Sequence, residues 1–179
     1  DATSYTYGGS LGPNTVHAFQ VASTNGTYDS SKTPTLTACT LANVPAAPTV
    51  DSPSETTLNV NVNPNSNPSS TEFAITIDGG AYTEGKHWVQ ADGTVGTSAV
   101  WQTDAEWDTQ TVTGLAKHAT YVFKVKARNG DNVETCLSIS ASKTTLITVD
   151  LCVNTDGSNG CYSSIQAAMN AAANGDVIG

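Results

Sequence analysis

The sequence predicts an all-β fold, an antiparallel sandwich of short strands, and three observations point to it. First, "TTLNVNVN" at residues 56–63 alternates strictly, with Leu58, Val60 and Val62 on one face and Asn59, Asn61 and Asn63 on the other. A side-chain period of two is that of a strand with one buried face. Second, strand-like segments recur at intervals of about ten residues between Gly, Pro, Asn and Asp turns, the rhythm of a sandwich. Third, the polar residues are mostly Thr, Ser, Asn and Gly and only 13% of the chain is charged, which disfavours long helices and suits strands.

The elements follow in order. "LGPNTVHAFQVASTNG", beginning at Leu11, repeats as "LAKHATYVFKVKARNG", beginning at Leu115. Leu11 aligns with Leu115, Phe19 with Phe123, Val21 with Val125, Asn25 with Asn129 and Gly26 with Gly130. "TPTLTACTL" gives a further strand before residue 43. After "TTLNVNVN" comes "NPNSNPSS", a loop by composition. "TEFAITID" then places Phe73, Ile75 and Ile77 together. "KHWVQ" and "SAVWQT" are shorter strands around the turn "ADGTVG". "TQTVTG" and "ATYVFKVKAR" follow, the latter alternating Tyr121, Phe123, Val125 and Ala127 with Val122, Lys124 and Lys126. "LSISASKT" closes the block. In "YSSIQAAMNAAANGDVIG", Ile165, Ala168, Met169 and Ala172 share one helical face, with Ser163 or Ser164 as the starting cap and Asn174-Gly175 as the stop.

Bulk properties exclude several classes. The formal net charge of −9 argues against nucleic acid, whose binders need basic patches. No apolar run approaches the roughly 18 residues needed to cross a bilayer, so membrane insertion is not expected. Asp1 opens into a polar, strand-like segment, so a secreted protein's leader is expected to be removed or to lie upstream. The four cysteines, Cys39, Cys136, Cys152 and Cys161, contain no C-x-x-C. Zinc-ribbon, thioredoxin-like and haem-attachment readings are therefore unsupported. An even count in an acidic, Thr/Ser/Asn-rich chain predicts two disulfides in an oxidising compartment. Cys152 and Cys161 bracket the turn-rich "VNTDGSNG" and are expected to pair locally.

From Pro45 to Thr145 the chain resembles a fibronectin type III domain, an immunoglobulin-like sandwich. The resemblance rests on the opening "VPAAPTV" and on Leu115, Tyr121, Phe123, Val125, Ala127 and Asn129 at the family's spacing. It implies a tyrosine corner built by Leu115 and Tyr121. Where the family usually carries a Trp in the second strand this chain has Val62, so Trp88 or Trp101 is expected to fill the core from another strand. Residues 1–43 resemble only the closing strands of a second such unit. "TSYTYGGSLGPNTVHAFQVASTNG" matches the fifth and sixth strands and "TPTLTACTL" the seventh, with His17 in place of the corner tyrosine. A partial sandwich leaves an apolar face with Phe19 and Val21 to be completed by neighbouring domains or subunits. "ITVDLCVNTDGSNGCY" with "SIQAAMNAA" and "GDVIG" resembles the N-terminal entry of a pectin-lyase-like right-handed parallel β-helix, whose helix caps the first coil. The expected map is 1–43, 44–146 and 147–179, the middle of a longer protein. In that map Cys39 and Cys136 meet at the junction of the first two units and pair there.

Candidate chemistry is sparse. Asn154 and Asp156 share oxygen donors with a calcium loop, but the spacing and the terminal Glu are missing, which favours a disulfide-closed turn. Trp88, Trp101, Trp107 and Tyr82 form either a sugar-stacking platform or ordinary packing, and packing is the commoner use of such rings. His17, His87 and His118 are scattered. Asp104, Glu106 and Asp108 alternate with Ala105 and Trp107 and read as one exposed strand or loop face. Asn25-Gly26-Thr27 is a glycosylation sequon in a turn. No catalytic residue, cofactor site or metal site is predicted. The favoured reading is a non-catalytic structural or interaction segment of a secreted or cell-surface modular protein: a stalk, an adhesin or an extracellular filament subunit, the last formed as a homo-oligomer. The alternatives are an accessory fragment of a β-helix polysaccharide lyase or hydrolase, and a carbohydrate-binding module with a polysaccharide partner.

Overall fold

The computed structural model describes residues 6–51, 53–147, 151–174, 176, 178 and 179. Two strands come first: β1 (Val16–Phe19) and β2 (Leu36–Cys39). They pair antiparallel as a separate ribbon, His17 opposite Ala38 and Phe19 opposite Leu36. Of the fifth-strand segment expected before β1, residues 1–5 lie outside the described residues and the remainder forms no strand.

A two-sheet sandwich follows. Its smaller sheet joins β3 (Thr49–Asp51), β4 (Leu58–Asn61) and β9 (Thr109–Val112) in the order β3-β4-β9. The facing sheet contains β5 (Glu72–Asp78), β6 (Trp88–Val89), β7 (Val95–Gly96), β8 (Gln102–Thr103), β10 (Thr120–Arg128) and β11 (Ala141–Thr144). It runs β11-β10-β5-β6-β7, with β8 also pairing with β5. Every ladder is antiparallel. This is the strand order of the fibronectin type III sandwich.

The alternation in the sequence is the alternation of the core. Leu58, Val60, Ile75, Ile77, Val112, Phe123 and Val125 are all 0% exposed and pack into one cluster between the sheets. On the outer face of β4, Asn59 and Asn61 accept hydrogen bonds from the hydroxyls of Thr111 and Thr109 at 2.9 and 2.8 Å. The asparagines thus form a cross-strand ladder, each rung contributing about 0.2–1 kcal/mol. Leu115 is 3% exposed, and the Tyr121 hydroxyl accepts the Ala116 amide at 2.9 Å. That bond is the tyrosine corner. His17 cannot reproduce it, and its Nε2 is buried without a partner among the described residues.

The core tryptophan is neither Trp88 nor Trp101. Trp107 fills the space, 1% exposed, with its Nε1 donating to the Phe73 carbonyl at 2.9 Å. It sits on a single helical turn, α1 (Asp104–Trp107), where an exposed strand or loop face was expected. Thr103 caps this turn: its amide and hydroxyl both donate to Glu106 Oε2 at 2.8 Å. Trp88 is buried instead on the outer side of the larger sheet. It lies opposite Thr76, with Lys126 Nζ 4.5 Å from its ring centre.

Beyond the sandwich, a disulfide closes a short turn that includes a 3-10 segment at Ser158–Gly160. Helix α2 (Ile165–Ala171) follows, capped by Ser164, whose hydroxyl accepts from the Ala167 amide at 3.2 Å. Its C-cap is Ala172 rather than Asn174-Gly175, because Ala172 already leaves the helix with ψ of 138°. Ala168 is 0% exposed, whereas Ile165 and Met169 are 65% and 56% exposed. Isolated parallel bridges join Leu151 to Ile178 and Val153 to Tyr162. Of the segment "ITVDLCVNTDGSNGCY" expected to enter a β-helix, residues 148–150 lie outside the described residues, as do Gly175 and Val177 of "GDVIG".

Candidate functional site

The densest long-range polar structure lies between the ribbon and the sandwich. Asn14, in the turn before β1, has φ of 41°, a left-handed conformation that asparagine tolerates well. Its Nδ2 donates to the hydroxyl of fully buried Thr71 at 2.7 Å, and its Oδ1 accepts the Gly130 amide at 2.9 Å. The Cys39 thiol donates to the same oxygen at 3.2 Å. The sandwich answers with Asn129, whose Nδ2 donates to the carbonyls of Thr40 and Cys39 at 3.0 and 3.4 Å. Asp131 Oδ2 accepts the Cys39 amide at 2.8 Å, a charge-assisted bond of the stronger class. The connecting strand is also held. Asn67 brackets Asn43, accepting its amide and donating to its carbonyl, both at 2.8 Å, and Asn65 Nδ2 donates to the Val44 carbonyl at 2.8 Å. Part of the loop "NPNSNPSS" is therefore a clamp on the linker, with Asn65 and Ser66 at φ of 51° and 62°.

The sequence repeat reappears as repeated bonding. Thr40 donates its amide to Thr15 O at 3.0 Å, and its hydroxyl accepts the Thr15 amide at 2.9 Å and donates to Gly12 O at 2.6 Å. Thr145 makes the same three bonds to Ala119 and Ala116, at 3.0, 3.0 and 2.7 Å. The Asn14 amide reaches Leu41 O as the His118 amide reaches Leu146 O, and both residues have positive φ. The chain thus leaves the ribbon and the sandwich in the same local geometry.

Two other surfaces matter. The ribbon is exposed along most of its length: Val16, Phe19, Val21 and Leu36 are 64%, 45%, 68% and 70% exposed. Tyr7, Ser10, Leu11, His17, Ala18 and Phe19 line an open cleft of ≈ 430 Å³ on it. On the sandwich, Lys126 lies over Trp88 and Trp101, and Arg128 lies 4.7 Å over Trp101. Glu134 and Glu72 pair with these two cations at 2.6 Å each. This pavement closes the outer face of β5, leaving Ala74 and Thr76 at 0% and 1% exposure. The four candidate sugar-stacking rings do not gather on one surface: Trp107 and Tyr82 pack with the core, and Trp88 and Trp101 lie beneath Lys126.

Cys152 and Cys161 are disulfide-bonded. Cys39 and Cys136 carry free thiols, so the junction pairing expected from the sequence is not formed. The reason is local. The Cys39 thiol points at Asn14 and packs against Gly130. Cys136 faces a separate apolar cleft lined by Leu41, Ala42, Val44 and Val133. The oxygens of "NTDGSNG" are spent on the turn itself, Asp156 accepting the Ser158 amide at 2.9 Å and Asn154 Oδ1 accepting the Asp156 amide at 3.5 Å. His87 Nδ1 accepts the Thr83 amide at 2.8 Å, and His118 is exposed in its turn. Burial, and then the charge of Asp108, raise the Asp104 carboxyl above its ordinary value. Hydrogen bonds from Thr103 lower that of Glu106. Among the described residues no three His, Cys, Asp or Glu side chains converge as a metal site, and no helix is long and apolar enough to cross a membrane.

The fold and joint define an all-β chain with a fibronectin type III-like sandwich and a docked β-ribbon. No family model matches the chain, and no curated protein matches it. Solved structures similar to it include the FN1-FN3 domains of chicken CNTN1, at 16% identity and a TM-score of 0.47, covering 76% of this chain and 44% of that one. The chain therefore spans less than half the length of that structure. The fibronectin type III domain of human fibronectin type III domain containing protein 3 is similar at 21% identity and a TM-score of 0.42, covering 61% and 90%. The d3-d4 extracellular region of rat CD45 is similar at 18% identity and a TM-score of 0.42, covering 81% and 71%.

Proposed function

We propose that the chain is a non-catalytic structural segment of a secreted or cell-surface modular protein, in which sandwich units act as spacers held end to end. Residues 1–43, 44–146 and 147–179 are the three units of this reading. The joint carries it. Asn14, Asn129, Gly130 and Asp131 lock the ribbon to the sandwich through hydrogen bonds spanning 89 to 116 positions of sequence. A spacer transmits position only if its joints are stiff, and several side-chain bonds acting together supply stiffness that a free linker lacks. The Cys152–Cys161 disulfide favours an oxidising, extracellular setting. The uncovered ribbon face suits completion by neighbouring strands, from another domain or from a second subunit in a filament.

The test is small-angle scattering on the chain and on a double variant, Asn129→Ala with Asp131→Ala. A single stiff particle is expected for the parent, with a larger radius and a broadened distance distribution for the variant. Identical profiles would remove the joint from the account. The second reading, an accessory piece of a β-helix polysaccharide enzyme, is favoured by the two parallel bridges, Leu151–Ile178 and Val153–Tyr162. In that case catalysis would belong to coils that follow.

A further inference from the structure

The ribbon and the sandwich carry aligned Asn-Gly loops in two different settings. In the sandwich, Asn129 Oδ1 accepts the amides of Asp131 and Val133 at 3.1 and 2.8 Å. In the ribbon, Asn25 Oδ1 accepts those of Thr27 and Tyr28 at 3.0 and 2.9 Å. Each asparagine ties its carbonyl oxygen into its own turn and leaves its amide nitrogen pointing elsewhere. Asn129 spends that nitrogen on the carbonyls of Thr40 and Cys39, and is 4% exposed. Asn25 Nδ2 has no acceptor among the described residues, and residues 20–38 are exposed throughout. Of the three positions at which residues 25–29 differ from residues 129–133, one bears on the joint. Asp131 supplies the carboxylate that binds the Cys39 amide in the joint, and the aligned position in the ribbon is Thr27. The free loop therefore lacks the joint's acidic partner and instead reads Asn-x-Thr, with Gly26 between.

We propose that Asn25 is an N-glycosylation site, a reading that rests on the extracellular assignment above. An Asn-x-Ser/Thr acceptor needs an accessible, solvent-facing turn, and this hairpin tip is the most open part of the chain that carries one. The co-reactant is an oligosaccharide linked through its anomeric carbon to a lipid pyrophosphate. Asn25 Nδ2 forms a bond to that carbon, and the bond from carbon to pyrophosphate oxygen breaks. The lipid pyrophosphate leaves with the electron pair, and one Nδ2 proton passes to base. No oxidation or reduction occurs. A glycan here would lie beside Tyr28 and Val21, which are 77% and 68% exposed, at the tip of the ribbon.

The test is expression of the full chain in eukaryotic cells behind a cleavable secretory leader, with a C-terminal tag carrying a second, known acceptor site. Site-resolved mass spectrometry before and after an amidase that releases N-linked glycans reads both sites. The expected result is a glycan on Asn25, retained in Thr27→Ser and abolished in Thr27→Ala and Asn25→Gln. A glycosylated tag beside a bare Asn25 would overturn the site while leaving the extracellular reading intact.

Discussion

Replacing Asn14 with glycine probes the joint without disturbing its backbone. Glycine adopts the φ of 41° found at this position at least as readily as asparagine, so the variant removes the side chain alone. Three bonds go with it: to Thr71 at 2.7 Å, from Gly130 at 2.9 Å and from the Cys39 thiol at 3.2 Å. The thiol contributes little. The other two leave a fully buried hydroxyl and a backbone amide without their partner, and together cost about 2–3 kcal/mol. That loss falls on opening of the joint, because Asn14 touches the sandwich only at its end. The Cys39 amide is the cleanest reporter, since its own bond to Asp131 Oδ2 is left intact. Its hydrogen exchange should accelerate about 30- to 150-fold, at one decade per 1.4 kcal/mol, while the amides of β5 and β10 stay unchanged. Unaltered exchange at Cys39, or equal acceleration in β5 and β10, would refute the idea that Asn14 holds the joint rather than the fold.

Other consequences concern single features. Tyr121→Phe removes the acceptor of the Ala116 amide and should lower unfolding stability by about 1–3 kcal/mol, read as a shifted denaturant midpoint with an unchanged slope. Trp107→Phe deletes the bond to the Phe73 carbonyl and part of a fully buried ring; a loss of about 2–4 kcal/mol is expected, and a midpoint within error of the parent would mean the ring is not the core anchor. Glu106 is held below its ordinary value of 4.5, first by the Thr103 amide and then by its hydroxyl. Its contribution to stability should therefore be present above pH 4.5 and fade as pH falls through the lowered value. Asp104, raised by burial and by Asp108, has the opposite sign, ionisation opposing the fold as pH rises. Carboxylate NMR titration reads each group against its own ordinary value, and a Glu106 midpoint at or above 4.5 would contradict the capped turn. Cys152→Ser with Cys161→Ser opens a short loop worth about 2–3 kcal/mol by chain entropy. It should loosen residues 151–174 in amide exchange without moving the thermal midpoint of the sandwich.

Much of the sandwich was legible because its strands obey period two and because the corner depends on Leu115 and Tyr121 at fixed spacing. Phe73, Ile75 and Ile77 were readable as an inward face, but Ala74 and Thr76 were not readable as buried. Their cover comes from Trp88 and Lys126, elements distant in sequence. The helical turn at Asp104–Trp107 escaped periodicity because a single turn has none to show. Its signal was the capping pair Thr103-x-x-Glu106, and that pair places Trp107 in the core. The joint was legible only as a repeat. Alignment matched Asn25 to Asn129, but the partners of Asn129 lie in another segment, so pattern alone could not tell a docked loop from a free one. The same long-range placement defeats the Cys39–Cys136 pairing: sequence put both cysteines near the junction, and packing turned their thiols toward different neighbours.

Residual dipolar couplings from backbone amides test the end-to-end account most directly. Amides of β1 and β2 should fit the same alignment tensor as those of β4, β5 and β10, in magnitude and orientation, because the Asn14, Asn129 and Asp131 contacts make one rigid body. A distinct, weaker tensor for the ribbon would show it swinging freely on its linker, and the spacer reading would fail with it.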